Sequence, residues 1–287
     1  MTMRRETISK MLRVCDSELE KRMWGAKLPN GKGKIRRYLI TDFRAFGLIT
    51  GIARYLVKSE EKEERIFYRG QAEEWVLKPK LYRDCNTKIE IELANKWKEK
   101  ALEIALQEGF DYRGKEENVA DYREALAQHY GLATSFIDVV DHIQTALWFA
   151  YDRLHKESSV GYIYMVSVPK ERSILIDLRD KPSEWLRPHI QQAFCFKMKK
   201  VTELGKISER YHIMTFVIPR DLLAIWNSCG MFTNSFVYPP KKLDRGLEYW
   251  EKVEKRLKEE GLGLEPTQWI QKKISEKGQS VGKWTEI

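Results

Sequence analysis

The sequence predicts an α+β fold, and three observations predict it. Apolar residues recur at the helical period through most of the chain up to about residue 154, whereas runs rich in β-branched and aromatic residues dominate after residue 160. Helical and strand runs that are segregated in this way, and do not alternate as βαβ units, give helices from the N-terminal half over a sheet built largely later. With 287 residues, 43% of them hydrophobic and 11% aromatic, the chain can bury one sizeable core or two small ones. It reads as one domain with short appended ends.

Residues 5 to 24 place Ile8, Met11, Leu12, Cys15, Leu19 and Met23 on one helical face. Thr41 or Asp42 can cap a second helix, whose Phe43, Phe46, Ile49, Ile52, Tyr55 and Leu56 keep the 3.6-residue period. A strand follows from about Arg65 to Gly70. The stretch from Trp75 to Arg83 alternates and then meets Pro79, which predicts an extended piece crossing the core. Thr87 and Glu90 match a capping box, and the helix they open ends near Gly109. Another helix runs from about Glu117 to His129, stopped by Gly131, and Asp141 is placed to cap the next, through about Leu154. Strands are expected at Gly161 to Val168, Ser173 to Leu178, Phe194 to Met198 and Tyr211 to Ile218. A short helix over Asp221 to Trp226 and a charged helix over about Leu243 to Glu260 complete the body. Beyond Gly261 the composition thins to Lys, Glu, Gly and Ser around Trp269 and Trp284, so a loosely held tail is expected. The divisions are therefore a helix and basic loop over 1–40, a domain over 41–260 and a tail over 261–287.

Composition narrows the function classes. Cys15, Cys85, Cys195 and Cys229 form no Cys-x-x-Cys pair, and none of the five histidines has metal-ligand spacing to a cysteine, so no metal site is predicted. Reduced thiols fit a cytosol. Charged residues interrupt the N-terminal apolar face, and no later stretch approaches a membrane span, so a soluble, cytoplasmic protein is expected. A Ser-His-Asp hydrolase lacks its Gly-x-Ser-x-Gly elbow, and no paired acidic motif supports a two-carboxylate glycosidase. The net charge of +9 favours polyanionic partners. Lys27, Lys32, Lys34, Arg36 and Arg37 share a stretch without an acid, loosened by Gly25, Gly31 and Gly33, which could ride along nucleic-acid phosphates or simply be a solvated loop.

Two motifs carry the chemistry. Phe67-Tyr68-Arg69-Gly70-Gln71 puts a planar cation at a strand end beside a backbone that a ligand can approach. Gln128-His129-Tyr130-Gly131-Leu132-Ala133-Thr134 adds an imidazole, a phenol and a hydroxyl at a helix end. Together they suggest a pocket for an anionic, ring-bearing ligand. With Trp75 to Arg83 between them, and with Ser135 to Asp138, Ala146 to Ala150, Gln191 to Phe194 and Phe236 to Pro239 following in order, these segments resemble the FRG-domain family, named for its Phe-x-Arg-Gly motif. The resemblance covers roughly residues 40 to 255. Two departures stand out: Ser135 follows Thr134 where the family more usually has arginine, and Val139 stands where tryptophan is common.

By resemblance, the Arg-Gly strand and the later polar motifs look like the NAD-binding core of ADP-ribosyltransferases, with relatives among bacterial toxin and anti-phage proteins. The resemblance implies an ADP-ribosyltransferase-like mixed sheet and NAD as the ADP-ribose donor, without a metal. Arg69, Gly70, Gln71, Gly131, Thr134 and Asp138 would then bind NAD. Tyr130 would stack on nicotinamide, Gln191 or its neighbour Gln192 would hold the ribose, and His129 would position NAD or handle the acceptor proton. Internal ion pairing is the other role open to Arg69, and pairing with arginine or a helix end is the other role open to Asp138. Trp75, Trp97, Trp148 and Trp185 read as core. RNA is the expected acceptor, engaged through Lys32, Lys34, Arg36 and Arg37, and an antitoxin or chaperone-like protein is implied as partner. A non-catalytic module that senses a nucleotide and docks on nucleic acid is the alternative.

Overall fold

The structure, a computed structural model, describes residues 24–27, 36–40, 44, 46–48, 50–51, 64–110, 119–152, 154–155, 158–169, 173–179, 185–198, 212–228 and 232–282. Residues 5–23 of the helix expected over 5–24, and Lys32 and Lys34 of the basic stretch, lie outside these, whereas Trp24 is on a strand. Residues 44, 46–48, 50 and 51 are helical, and the Thr50 hydroxyl donates to the Phe46 carbonyl at 2.9 Å, one turn back.

Among the described residues one mixed sheet of eight strands forms, in the order β1-β2-β8-β5-β3-β4-β7-β6. The strands are β1 (Trp24–Lys27), β2 (Arg36–Leu39), β3 (Glu64–Gln71), β4 (Ile137–Val140), β5 (Val160–Pro169), β6 (Ser173–Asp177), β7 (Ala193–Met198) and β8 (His212–Pro219). Only β2 and β8 run parallel; the other neighbours are antiparallel. Arg36 and Arg37, expected in a loop, lie on β2 and pair with Met214 and Thr215, so this segment is part of the sheet and not an appended end.

The helices are α1 (Lys88–Gln107), α2 (Val119–His129), α3 (Ile143–Asp152), α4 (Leu186–Ile190), α5 (Arg220–Ser228), α6 (Asn234–Val237), α7 (Gly246–Glu259) and α8 (Thr267–Gly282). Among the described residues they fall in both halves of the chain, where the sequence predicts most from the first. Periodicity located α1, α2, α3, α5 and α7, but strands such as β3 and β4 interleave with them, so order along the chain did not segregate as composition suggested. The Thr87–Glu90 capping box forms with both reciprocal hydrogen bonds. Gly109 and Gly131, past the ends of α1 and α2, have φ of 84° and 113°, backbone that a glycine adopts without strain. Asp141 lies ahead of α3, and its carboxylate accepts from Arg179 at 2.9 Å.

Two apolar masses hold the sheet. Tyr68, Val140, Ile163, Met165 and Phe216 face Ala146, Leu147 and Ala150 of α3 and Leu223 of α5. On the opposite face Phe67, Val139, Tyr164, Val166, Phe194 and Phe196 form their own cluster. A third, largely helical core gathers Trp97 and Ala101 of α1, Leu126 of α2, Trp185, and Trp250 and Val253 of α7. The stretch expected as a loose tail closes this core. Leu262 and Ile270 are buried in it, and the Trp97 indole donates to the Leu262 carbonyl at 3.0 Å. The misreading is physical: a few well-placed apolar residues dock α8, whereas its average composition is polar.

The Trp75–Arg83 segment carries a single 3-10 turn, Lys80–Tyr82, and drops Leu77, Leu81 and Tyr82 into the body. Among the described residues no helix is long and apolar enough to cross a membrane.

Candidate functional site

Strands β3 and β4 share one register pair, Tyr68 with Val140, whereas β4 pairs with β7 along its whole length. Past that pair the backbones of β3 and β4 part, and a half-open cleft lies where they separate. Arg69 bridges the split: its Nη1 donates to the Asp138 carbonyl at 2.8 Å. Arg69, Gly70, Gln71, Trp75, Arg83, Gln128, His129, Asp138, Phe149, Gln191 and Tyr238 are among the residues lining the cleft. Its volume is about 180 Å³, below the roughly 300 Å³ at which pockets for whole drug-sized ligands begin. The cleft is therefore too small to enclose a whole ligand of that size.

Side-chain alternation gives Arg69 and Gly70 different tasks. Arg69 lies on the side of Phe67 and serves the cleft. Gly70 lies on the side of Tyr68, and a Cβ built there would stand 1.8 Å from the Ala146 carbonyl oxygen of α3. The glycine is therefore required by a helix lying on the strand, a packing role that stands beside the ligand approach expected of it. Gln71, buried, donates from Nε2 to the Trp75 carbonyl at 3.1 Å and so pins the loop that carries Trp75 to the cleft. Trp75, expected in the core, is 42% exposed, with the Arg83 guanidinium 5.7 Å from its ring centre. Trp97, Trp148 and Trp185 are buried.

At the floor, a polar chain fixes each group in one orientation. Thr134 donates to Gln128 Oε1, and Gln128 Nε2 donates to Asp138 Oδ1. His129, at the last position of α2, has Nδ1 2.9 Å from Gln191 Oε1, while Gln191 Nε2 donates to the Val237 carbonyl at 3.1 Å. With the Gln191 amide oriented in that way, Nδ1 is the donor to Gln191, and in the neutral ring Nε2 is then the atom with the lone pair. The Nε2 atom is 3.4 Å from Cys195 Sγ and 3.6 Å from Asp138 Oδ1. The Cys195 thiol donates to Asp138 Oδ1 at 3.3 Å. Burial first, then the neighbouring carboxylate of Asp138, holds this thiol well above the usual cysteine range. A protonated, fully buried thiol is no nucleophile.

Four of the expected site residues stand elsewhere or do other work. Tyr130 does not line the cleft. Its ring packs against Phe110, Trp185 and Trp250, and its hydroxyl donates to Asp244 at 2.7 Å. Burial and Asp244 push its phenol far above the ordinary value. A helix end places successive side chains 100° apart, so His129 turns to the sheet while Tyr130 turns into the helical core. Stacking on nicotinamide is thereby ruled out for Tyr130 in this arrangement. Replacing it by phenylalanine should cost about 1.5–3 kcal/mol of stability, because Asp244, fully buried, loses a charge-assisted hydrogen bond. Urea unfolding will measure that loss, and ligand binding at the cleft should be unchanged.

Gly131 shapes the turn and is not among the cleft residues. Thr134 is fully buried and acts through Gln128. Gln191 lies in the turn between α4 and β7, and its amide is used by His129 and Val237, which leaves little for a ribose. Gln192 is exposed, with φ of 49°. Ser135, the first departure from the family pattern, contacts Glu124 through both its amide and its hydroxyl, inside an ion network with Lys98 and Lys197. That departure alters the core under the cleft and not its lining, whereas Val139 does line the cleft. Sequence reading missed Cys195, Trp75, Phe149 and Tyr238. For Cys195 a signal needs the strand register, since Asp138 and Cys195 are direct cross-strand partners.

Residues 64–159, about one third of the chain, match the family model for the FRG domain. The match contains β3, α1, α2, β4 and α3, hence Arg69, Gln128, His129 and Asp138, and ends before Gln191 and Cys195. No curated protein and no solved structure matches the chain.

Proposed function

We propose that the cleft between β3 and β4 binds a nucleotide, with NAD as the ligand, and that the protein is an NAD-dependent ADP-ribosyltransferase. The observation that carries this reading is the convergence of a strand-borne arginine, one carboxylate and aromatic walls on a single small cleft. Arg69 and Arg83 suit phosphate oxygens, and Trp75, Phe149 and Tyr238 suit a base or nicotinamide ring. NAD supplies a glycosidic bond whose cleavage develops positive charge on the ribose. Asp138 is the one carboxylate among the cleft-lining residues, and 40% of its side chain is exposed. It therefore takes the charge-stabilising place beside the ribose, where the resemblance put Gln191 to hold the sugar. Gln128 and the Arg69 contact to its own carbonyl hold Asp138 in position. The family match supports the fold of this region; an ADP-ribosyltransferase-like sheet remains part of the proposal. RNA is the proposed acceptor on the net charge of +9.

One observation favours a non-catalytic nucleotide sensor as the second reading: Tyr130 and Gln191, two of the three groups expected to act on NAD, are engaged within the protein. Calorimetry with NAD, ADP-ribose and simple nucleotides, followed by incubation with NAD labelled in its ADP-ribose part and total RNA, separates the two. Saturable NAD binding with label transfer to RNA supports the transferase, and binding without transfer supports the sensor. Absence of binding by every nucleotide at millimolar concentration would end both.

A further inference from the structure

We propose that His129 Nε2, Asp138 Oδ1 and Cys195 Sγ form a three-ligand site for a zinc-like divalent cation at the floor of the cleft, with a fourth position facing the cleft. The three atoms lie mutually within 4.8 Å, with edges of 3.3 Å from sulfur to oxygen, 3.4 Å from sulfur to nitrogen and 3.6 Å from nitrogen to oxygen. An ion with ordinary zinc–sulfur, zinc–nitrogen and zinc–oxygen distances and tetrahedral angles demands edges of about 3.3–3.6 Å. The triangle already has that size.

Orientation agrees with size. Gln191 Oε1 accepts a hydrogen bond from the Nδ1–H of His129, so the Nε2 lone pair of the neutral ring faces the other two atoms, and Gln191 is itself tied to Val237. This is the arrangement that fixes a ligating histidine elsewhere, with a carbonyl oxygen behind the ring. Gln128 does the same for the carboxylate. The three ligands come from the end of α2, from β4 and from β7, and Asp138 and Cys195 are held opposite each other by strand pairing. A thiolate and a carboxylate balance a dication, so binding releases the Cys195 thiol proton to solvent and leaves a neutral cluster suited to a half-buried floor. The mixed sulfur, nitrogen and oxygen set suits zinc over magnesium or calcium. An ion here would neutralise Asp138, so ion binding and stabilisation of a ribosyl cation are alternative uses of one carboxylate. The metal site does not rest on the nucleotide reading.

The test uses the full chain, reduced and freed of metal by a chelator that is then removed, and titrated with cobalt(II). Expected are visible bands of tetrahedral cobalt and a near-ultraviolet thiolate-to-cobalt band, saturating at one ion per chain and reversed by zinc. Cys195→Ala should abolish the thiolate band, and Cys85→Ala should keep it. Gln191→Ala, which removes no ligand, should weaken zinc binding roughly 10- to 100-fold. Should Cys195→Ala fail to fold by circular dichroism, Asp138→Asn replaces it as the ligand variant and should lose tetrahedral binding. A titration without the thiolate band, or a band that survives loss of the ligand, overturns the site. NAD plays no part in these measurements, so their failure and that of the transferase reading are distinguishable.

Discussion

Arg69→Lys is expected to weaken nucleotide binding by roughly 30-fold or more, about the 2–3 kcal/mol carried by a charge-assisted hydrogen bond to a charged group. The guanidinium spans the split between β3 and β4 by donating to the Asp138 carbonyl at 2.8 Å, and its planar fork presents donors in fixed directions from that anchor. A lysine ammonium has the charge without the plane. It cannot hold the carbonyl and meet a phosphate edge in one geometry. Arg69 also ties two strands that share a single register pair, so stability must be read beside affinity. The variant should stay within about 1 kcal/mol of the parent, as one exchanged hydrogen bond implies. Calorimetry gives the first quantity and thermal unfolding the second. Parental affinity in the lysine variant would remove Arg69 from the ligand site.

Which parts of this fold were legible from sequence follows from how local each signal is. The Thr87–Glu90 capping box opens α1 because both partners lie within one turn, and Gly131 ends α2 because its own backbone conformation does so. Strands β5 to β8 were found within a residue or two, since β-branched and aromatic runs report directly on a pleated, half-buried backbone. The candidate site was legible in Arg69, His129 and Asp138, which lie on β3, α2 and β4 within the recurring motifs. It was not legible where long-range register decides. Cys195 enters the floor only because β7 pairs with β4 at Asp138, and spacing along the chain carries no trace of that. Tyr130 was misassigned for a related reason: the motif places it beside His129, but the direction of its ring is set by Asp244, more than a hundred residues later. The stretch beyond Gly261 was read as a tail because the core that buries Leu262 and Ile270 is gathered from residues as distant in sequence as Trp97 and Ala101.

Gly70 is where a family motif and the packing of the sheet meet, and Gly70→Ala should show it. The added methyl carbon would stand 1.8 Å from the Ala146 oxygen, 2.8 Å from the Ala146 carbonyl carbon and 2.8 Å from the Ala150 amide nitrogen. All three are backbone atoms of α3, so no side-chain rotation relieves the contact, and the helix must lift as a body. Lifting it opens the apolar layer that Tyr68, Val140 and Ile163 make with Ala146, Leu147 and Ala150. Gly161 on β5 adds to the constraint, since its missing side chain leaves room for Ala150 and Leu223. Overpacking of this kind costs about 3 kcal/mol or more. For a chain of this size that lowers the midpoint of thermal unfolding by on the order of 10 °C. Alanine at 70 would be nearly silent if the glycine served only to let a ligand near, because a strand accepts alanine readily and the loss would then appear in binding alone. A variant with parental thermal stability and weakened nucleotide binding would leave the ligand role alone standing, whereas the close approach of α3 predicts the reverse order: stability falls first, and binding is lost only as the cleft wall formed by Phe149 moves with its helix.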